Sequence, residues 1–232
     1  MEVKEQLKQL VAKVAMEYIK SDMIIGLGSG STMVYVIEEI GKAIREGLIK
    51  GIYGIPTSFQ SEILGREHEI QILDFNTIEK IDLAIDGADE VDPMKNLIKG
   101  GGGAHTREKY IDYFAERFIV VADESKLVQN LGQKFAVPVE VLPEAYRSVQ
   151  KKLTHLGAVS QVRMAVKKAG PVITDQGNFI LDAKFTSINH PKQLEMEINN
   201  IPGVIENGIF TRPVESVLIG SYSDGKAKVI RM

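Results

Sequence analysis

Met23-Ile24-Ile25-Gly26-Leu27-Gly28-Ser29-Gly30-Ser31-Thr32 passes from a short apolar run into a loop of glycines and hydroxyls. From Met33 to Ile49 the apolar residues then recur at helical spacing. A buried strand feeding a glycine loop that opens a helix is the founding unit of an α/β fold. Backbone N–H groups in such a loop, backed by the positive end of the helix dipole, hold anions. Gly28 and Gly30 permit close backbone approach, while Ser29, Ser31 and Thr32 add hydroxyl donors. No lysine follows at the P-loop position, and Ser31 fills the last glycine slot of the dinucleotide pattern G-x-G-x-x-G. Two readings stay open, a phosphate or carboxylate site and a plain strand-to-helix turn.

Upstream, Val3, Leu7, Leu10, Val11, Val14, Tyr18 and Ile19 predict an amphipathic opening helix. Downstream, strands over Ile52–Pro56, Ile70–Asp74, Asp82–Ile85 and Phe118–Ala122 alternate with helices over Ser58–Glu67 and Ala104–Arg117. That alternation predicts a mostly parallel sheet with helices on both faces. The character changes after about Gln129. Phe135–Leu142, interrupted by Pro138, reads as an edge strand or a domain entry. A helix over Glu144–Leu156, a strand over Val159–Val166, a hairpin over Val172–Phe185 turning at Asp175-Gln176-Gly177-Asn178, and a helix over Pro191–Asn199 follow. This order predicts a small α+β module with an antiparallel sheet. Val204–Phe210 and Val217–Ile219 are strands that either close this module or rejoin the first sheet.

The densest chemistry lies between residues 86 and 109. Asp86-Gly87-Ala88-Asp89-Glu90-Val91-Asp92 is followed by Lys99-Gly100-Gly101-Gly102-Gly103-Ala104-His105-Thr106-Arg107-Glu108-Lys109. Packing explains neither four consecutive glycines nor so much charge. The acidic cluster has three readings: a divalent-metal site, a solvated turn with capping aspartates, and a pair, Asp86 and Asp89, that handles protons and hydroxyls at the mouth of a strand. The nearby lysine favours the third, because a cationic side chain can take over a metal's charge-stabilising role. Glu108, in the first turns of the following helix, is a candidate general base. His68, His105, His155 and His190 show no ligand spacing and read as surface or loop residues.

With 232 residues the chain can bury a substantial core, as one large domain or two small ones. The net charge of −3 argues against broad nucleic-acid binding, which needs a basic face, but not against a phosphorylated small molecule. Cysteine is absent, which excludes disulfides, thiolate chemistry and Cys-ligated metals. Glu2 and Glu5 stand where a signal peptide is positive, and no apolar run approaches a membrane span. A soluble, cytoplasmic protein is the expectation.

These segments together resemble the ribose-5-phosphate isomerases of the A type over essentially the whole chain. The resemblance is carried by residues 26–32, 86–90 and 99–109 and by Ala122-Asp123-Glu124-Ser125-Lys126. In the second module it is carried by Val137-Pro138-Val139-Glu140-Val141, Gly177-Asn178 and residues 200–208. It implies a Rossmann-like catalytic domain over 1–129 and 207–232, and a ferredoxin-like α+β domain over 130–206. It implies interconversion of ribose 5-phosphate and ribulose 5-phosphate through a cis-enediolate, with no cofactor and no metal. Glu108 matches the base, Asp86 and Asp89 the hydroxyl-binding aspartates, and Lys99 the stabiliser of the oxyanion. Substrate-binding positions match Ser29, Gly30, Ser31, Thr32, Gly87, Ala88, Gly100, Gly101, Gly102 and Lys126, with Lys8 reaching for the phosphate. The implied partners are the sugar phosphate and further copies of the chain, as a homodimer or homotetramer, with neither nucleic acid nor membrane.

Two other classes are weighed against it. A sugar-phosphate sensor would carry a helix-turn-helix DNA reader, and the opening helix runs straight into the first glycine loop without room for one. A sibling enzyme, such as a sugar-phosphate deaminase or a CoA transferase of similar topology, does not explain Asp86 and Asp89 together with Lys99 and Glu108. Fold alone does not decide between them.

Overall fold

A computed structural model describes residues 3–223 and 225–232. In chain order it has α1 (Val3–Ala15), β1 (Ile24–Leu27), α2 (Ser31–Arg45), β2 (Tyr53–Pro56), α3 (Phe59–Glu67), β3 (Gln71–Ile72), β4 (Leu83–Gly87), β5 (Glu90–Val91) and β6 (Leu97–Ile98). Next come α4 (His105–Phe114), β7 (Arg117–Asp123), β8 (Val137–Val141), α5 (Tyr146–His155), β9 (Val159–Val162) and β10 (Phe179–Lys184). The chain ends with α6 (Pro191–Asn199), β11 (Val204–Asn207), β12 (Ile209–Phe210), β13 (Ser216–Ser223) and β14 (Lys226–Arg231). Two compact units result: Met1–Gly87, Arg107–Lys126 and Pro213–Met232 form the first, Ala88–Thr106 and Leu127–Arg212 the second.

The first unit is built on a seven-stranded sheet in the order β14-β13-β7-β4-β1-β2-β3. All its pairs are parallel except β13 with β14. The apolar run of β1 shows why both faces are covered. Ile25 and Leu27 enter a core shared with Val11 of α1, Ile37 of α2 and Leu83 of β4. Gly26, between them, points to the opposite face, where an added Cβ would lie 3.0 Å from Ile111 of α4. Each fully buried Ile or Leu here contributes about 1.5–3 kcal/mol. The chain leaves β1 towards β2 and β3, then returns to β4 on the other side. The carboxyl ends of β1 and β4 therefore flank the point where strand order reverses, the position at which open α/β sheets take ligands.

The second unit runs β8-α5-β9-β10-α6-β11, with an antiparallel sheet in the order β11-β8-β10-β9, the ferredoxin-like pattern. A second, three-stranded antiparallel sheet, β12-β6-β5, belongs to the same unit. Ile98 and Ile209 from that sheet join Val137, Val139 and Leu181 in one core. Burial of these two side chains explains why residues 88–106 and 207–212 group with the second unit rather than with the parallel sheet. Of the two late strands, β11 closes the antiparallel sheet and β13 rejoins the parallel one beside β7.

Two expectations are corrected. Of the two readings of Phe135–Leu142, the edge strand does not form: Pro138 lies in β8, a central strand between β11 and β10 and the first strand after the chain enters the second unit at Leu127. The Pro138 carbonyl accepts from Gly208 N–H at 2.7 Å, and a strand residue's N and C=O face the same neighbour, so the missing N–H falls just past the last β11 pair, Asn207 with Val139. The hairpin ending in β10 has β9 as its ladder partner, not residues 172–174. The tight turn forms as the sequence predicts: Thr174 N–H donates to the Asn178 carbonyl at 3.0 Å, and Gly177 takes φ +83°. Among the described residues no helix is long and apolar enough to cross a membrane.

Candidate functional site

In the first unit, the loop after β1 is tied to the end of β4. Gly28 N–H donates to the Ile85 carbonyl at 3.0 Å, and Ser29 N–H donates to Asp86 Oδ1 at 2.9 Å. The same oxygen accepts Gly87 N–H at 2.6 Å, and Asp86 is fully buried. A Cβ on Gly28 would sit 2.2 Å from that oxygen, so this position is restricted to glycine by contact, not by backbone angle. Ser29 Oγ lies 2.6 Å from Ser58 Oγ and 2.7 Å from Thr57 Oγ1, and Gly30 N–H donates to Gln60 Oε1 at 3.0 Å. Gly30, with φ +97°, caps α2 without a side chain, and Ser31 and Thr32 open the helix in exposed and half-buried positions. The N-terminus of a fifteen-residue helix, preceded by a loop locked in place, is suited to an anion.

Glu108 stands in the first turn of α4 and is only 5% exposed. Lys126 ends a single helical turn, Glu124–Lys126, just beyond the carboxyl end of β7. That turn is held by Ser125 N–H on Asp123 Oδ1 at 2.9 Å and by Ser221 Oγ on Glu124 Oε2 at 2.6 Å. Lys8, on α1, pairs with Glu5 at 3.0 Å, and the Tyr35 hydroxyl donates to the same carboxylate. Tyr35 first and Lys8 second hold the Glu5 carboxyl below its usual range, and Glu5 in turn pushes the Tyr35 hydroxyl up.

The second unit carries the other predicted residues. Asp89 Oδ2 accepts Gly101 N–H at 2.7 Å, while Asp89 N–H donates to the Ile98 carbonyl at 2.8 Å. Lys99 is 2% exposed, its ammonium 5.5 Å from the centroid of the Phe210 ring. A charge over an aromatic face is favourable by about 0.5–2 kcal/mol, more as water is excluded. Its backbone N–H donates to the Gly208 carbonyl at 2.9 Å. The four glycines differ in what requires them. Gly100 and Gly103 take φ +100° and +82°, and a Cβ on Gly101 would lie 2.7 Å from Asp89 Oδ1. At Gly102 a Cβ would meet nothing within 4 Å. His105 is fully buried against Gly100, whose Cβ would lie 2.7 Å from its Nδ1, which corrects the surface reading of this histidine.

Three residues of this unit carry contacts the sequence reading did not anticipate. Arg163, just past β9, donates to both the Gly100 and Gly101 carbonyls and is itself held by Asp182 of β10. Glu140 of β8 is fully buried and accepts from Thr106 Oγ1 at 2.5 Å, Thr174 Oγ1 at 2.8 Å and Asn178 Nδ2 at 2.8 Å. Thr106 lies in the first turn of α4, so Glu140 fixes the start of that helix. No local signal reveals these pairings, because each partner is more than thirty residues from the segment it holds or reads as an ordinary strand residue.

The carboxylates of the acidic cluster have separate tasks. Glu90, fully buried, accepts the N–H groups of Gly132, Lys134 and Phe135 at 2.6, 2.5 and 2.6 Å. Asp92 accepts from Met94 N–H at 2.9 Å and Asn96 N–H at 2.8 Å, an ordinary turn. Among the described residues, no three His, Cys, Asp or Glu side chains gather as a metal would require. A hollow of about 670 Å³ in the first unit, bordered by Pro56, Arg66, Phe75, Arg107 and Tyr110, contains none of the predicted site residues.

The family described as Ribose 5-phosphate isomerase A (phosphoriboisomerase A) matches residues 53–224. Ribose-5-phosphate isomerase A of Thermosynechococcus vestitus is 53% identical over 97% of this chain and 95% of its own length. The protein of that name from Thermococcus kodakarensis is 52% identical over 94% of this chain and 95% of its own length. A solved D-ribose-5-phosphate isomerase in complex with phospho-erythronic acid superposes with a TM-score of 0.95 at 48% identity, covering 100% of both chains. Ribose 5-phosphate isomerase A of Methanocaldococcus jannaschii gives 0.91 at 48% identity, covering 98% of this chain and 99% of its own. With a family match over most of its length and relatives more than half identical from end to end, the chain belongs to the ribose-5-phosphate isomerase A family.

Proposed function

We propose that the chain interconverts D-ribose 5-phosphate and D-ribulose 5-phosphate in the non-oxidative pentose phosphate pathway, using Glu108 as a single base and a cis-enediolate intermediate. The observation that carries this reading is the 53% identity to a ribose-5-phosphate isomerase A across 97% of the chain. The residue roles rest on chemistry. Once the sugar ring is open, the C1 carbonyl acidifies the proton on C2, and the Glu108 carboxylate removes it. Negative charge grows on O1, where the buried Lys99 ammonium stabilises it. Glu108 returns the same proton to C1 while the O2 proton passes to O1, which leaves the ketose with O1 as a hydroxyl and O2 as the carbonyl. One carboxylate on one face performs both transfers.

Asp86 assists ring opening, moving a proton from the anomeric hydroxyl towards the ring oxygen, and Asp89 binds sugar hydroxyls. The α2 N-terminus with Ser29 to Thr32 holds the phosphate, and Lys126 and Lys8 add positive charge. Gly87, Ala88 and the amides of Gly100 to Gly102 line the sugar. Phospho-erythronic acid, bound by the solved relative, joins a phosphate to a carboxylate, a planar anion where an enediolate would carry its charge. Such an acid would meet the same groups here. The same proposal includes a cytoplasmic location and a homodimer or homotetramer.

Conversion of ribose 5-phosphate by the purified chain, followed with and without EDTA, tests the proposal. Equal turnover in both arms is expected. Turnover lost on chelation would transfer the electrophilic role from Lys99 to a metal, and no turnover in either arm would sink the isomerase reading.

A further inference from the structure

Four consecutive glycines form the least restrained backbone a protein can contain, and fixing them is entropically costly. A loop that presents amides to a reacting sugar must nevertheless hold still. Asp89 restrains it on one side through the Gly101 N–H at 2.7 Å. Within the loop the Gly103 N–H donates to the Gly100 carbonyl at 2.9 Å, and the restraint from outside it on the other side comes from Arg163. Its Nη1 donates to the Gly100 carbonyl at 2.9 Å and to the Gly101 carbonyl at 3.0 Å. Its other edge grips Asp182, with Nε at 3.0 Å from Oδ2 and Nη2 at 2.5 Å from Oδ1. Both side chains are largely sheltered, at 15% and 23% exposure.

The geometry has a direct consequence for the amides. In a trans peptide the C=O and the following N–H point in opposite directions. With the carbonyls of Gly100 and Gly101 both drawn to one guanidinium nitrogen, the N–H groups of Gly101 and Gly102 are turned away from it. The first of these meets Asp89. The second belongs to Gly102, the glycine beside which a Cβ would meet nothing within 4 Å, leaving its backbone open to approach. Only a planar fork with donors on both edges can hold a carboxylate and two carbonyls at once. A lysine has three donors, but all sit on one nitrogen and cannot span the carboxylate on one edge and the two carbonyls on the other.

We infer that Arg163, oriented by Asp182, is a positioning residue that sets the direction of the Gly101 and Gly102 amides and so enables catalysis without touching the substrate. This gives the ferredoxin-like sheet a part in the reaction. The inference rests on the isomerase reading above and deepens it.

Steady-state isomerisation by the wild type, R163A, R163K, D182N and the R163A/D182N double variant tests it, with thermal melts of each and E108Q as a reference for lost chemistry. R163A and R163K are expected to lose about 10²-fold in kcat, the effect of a misplacement near 1 Å, while melting close to the wild type. D182N should follow in the same direction. The double variant should be no slower than R163A, since Asp182 acts only through Arg163. Added guanidinium should restore part of the R163A rate, a response that general loosening of the fold would not give. Folded R163A or R163K within about 3-fold of wild-type kcat, or R163A and D182N losses that multiply in the double variant, would overturn the inference. If R163A fails to fold, R163K and D182N decide by the same criteria. An inactive wild type would instead remove the isomerase reading, so the two failures are distinct.

Discussion

Ser29 donates its backbone N–H to Oδ1 of Asp86 at 2.9 Å, joining the loop after β1 to the last buried residue of β4. The neighbouring Gly28 leaves the space this contact needs, because a Cβ there would fall 2.2 Å from the same oxygen. One carboxylate thus sets the shape of the loop, and under the proposed function the same group assists ring opening.

Replacing Gly28 by alanine should therefore displace Asp86. The overpacking is expected to destabilise the fold by about 1–3 kcal/mol. The shift in Asp86 should lower kcat/KM by roughly 10²-fold. Denaturant melts and isomerase kinetics on the same preparation measure the two effects. An alanine variant with wild-type kinetics would show that Asp86 can move without consequence.

Lys99 is buried over the Phe210 ring, where its charge acts with little screening. Lys99→Met keeps the length of the side chain and removes the ammonium. A loss of about 10²- to 10³-fold in kcat is expected, with KM changing far less. A proportionate rise in KM at constant kcat would assign Lys99 to ground-state binding instead.

The alternation of strands and helices was legible because each element buries a recognisable face: Ile25 and Leu27 of β1 enter the core just as the apolar run predicts. The segments that carry the candidate chemistry were legible for a different reason. Runs such as Lys99 to Gly103 follow neither a helical nor a strand period, so their composition stands out locally. What could not be read is what depends on distant partners. Nothing in Val162-Arg163-Met164 announces that Arg163 holds the carbonyls of Gly100 and Gly101. His105 looks like an exposed polar residue until the positive φ of Gly100 brings that glycine against its ring. Pro138 reads as an edge residue because a sequence does not say where the neighbouring strand ends. The same limit hid the membership of residues 88–106 in the second unit, which is decided by the burial of Ile98.

Glu140 is a fully buried carboxylate satisfied by three neutral donors, one of them Thr106 at the start of α4. Glu140→Gln substitutes a donor for one acceptor and leaves a hydroxyl or amide without its partner. A destabilisation of about 1–3 kcal/mol is expected. Because Thr106 stands two residues before Glu108, kcat should fall as well. Chemical denaturation and kinetics check both, and a variant unchanged in stability would show that the site relaxes around the amide.

Acid stability has a specific contributor in Asp82. Burial pushes its carboxyl up, but the Lys80 ammonium at 2.5 Å and the Ile24 N–H at 2.8 Å outweigh it and hold the group below its ordinary value. The folded value therefore lies below the unfolded one of about 3.9. The resulting stability is fully present above the unfolded value and is lost as pH falls through the folded one. Asp82→Asn should lower Tm at neutral pH by about 2–4 °C and reduce the further loss below roughly pH 4. Parallel acid limbs for the variant and the wild type would show that Asp82 carries no linked proton.

The central claim is that one carboxylate, Glu108, moves the proton between C2 and C1. The most direct test is the kcat of Glu108→Gln, measured together with the affinity of the variant for phospho-erythronic acid. A loss of about 10²- to 10⁴-fold in kcat is expected, with the acid still bound. A variant that binds the acid and turns over ribose 5-phosphate at the wild-type rate would contradict it.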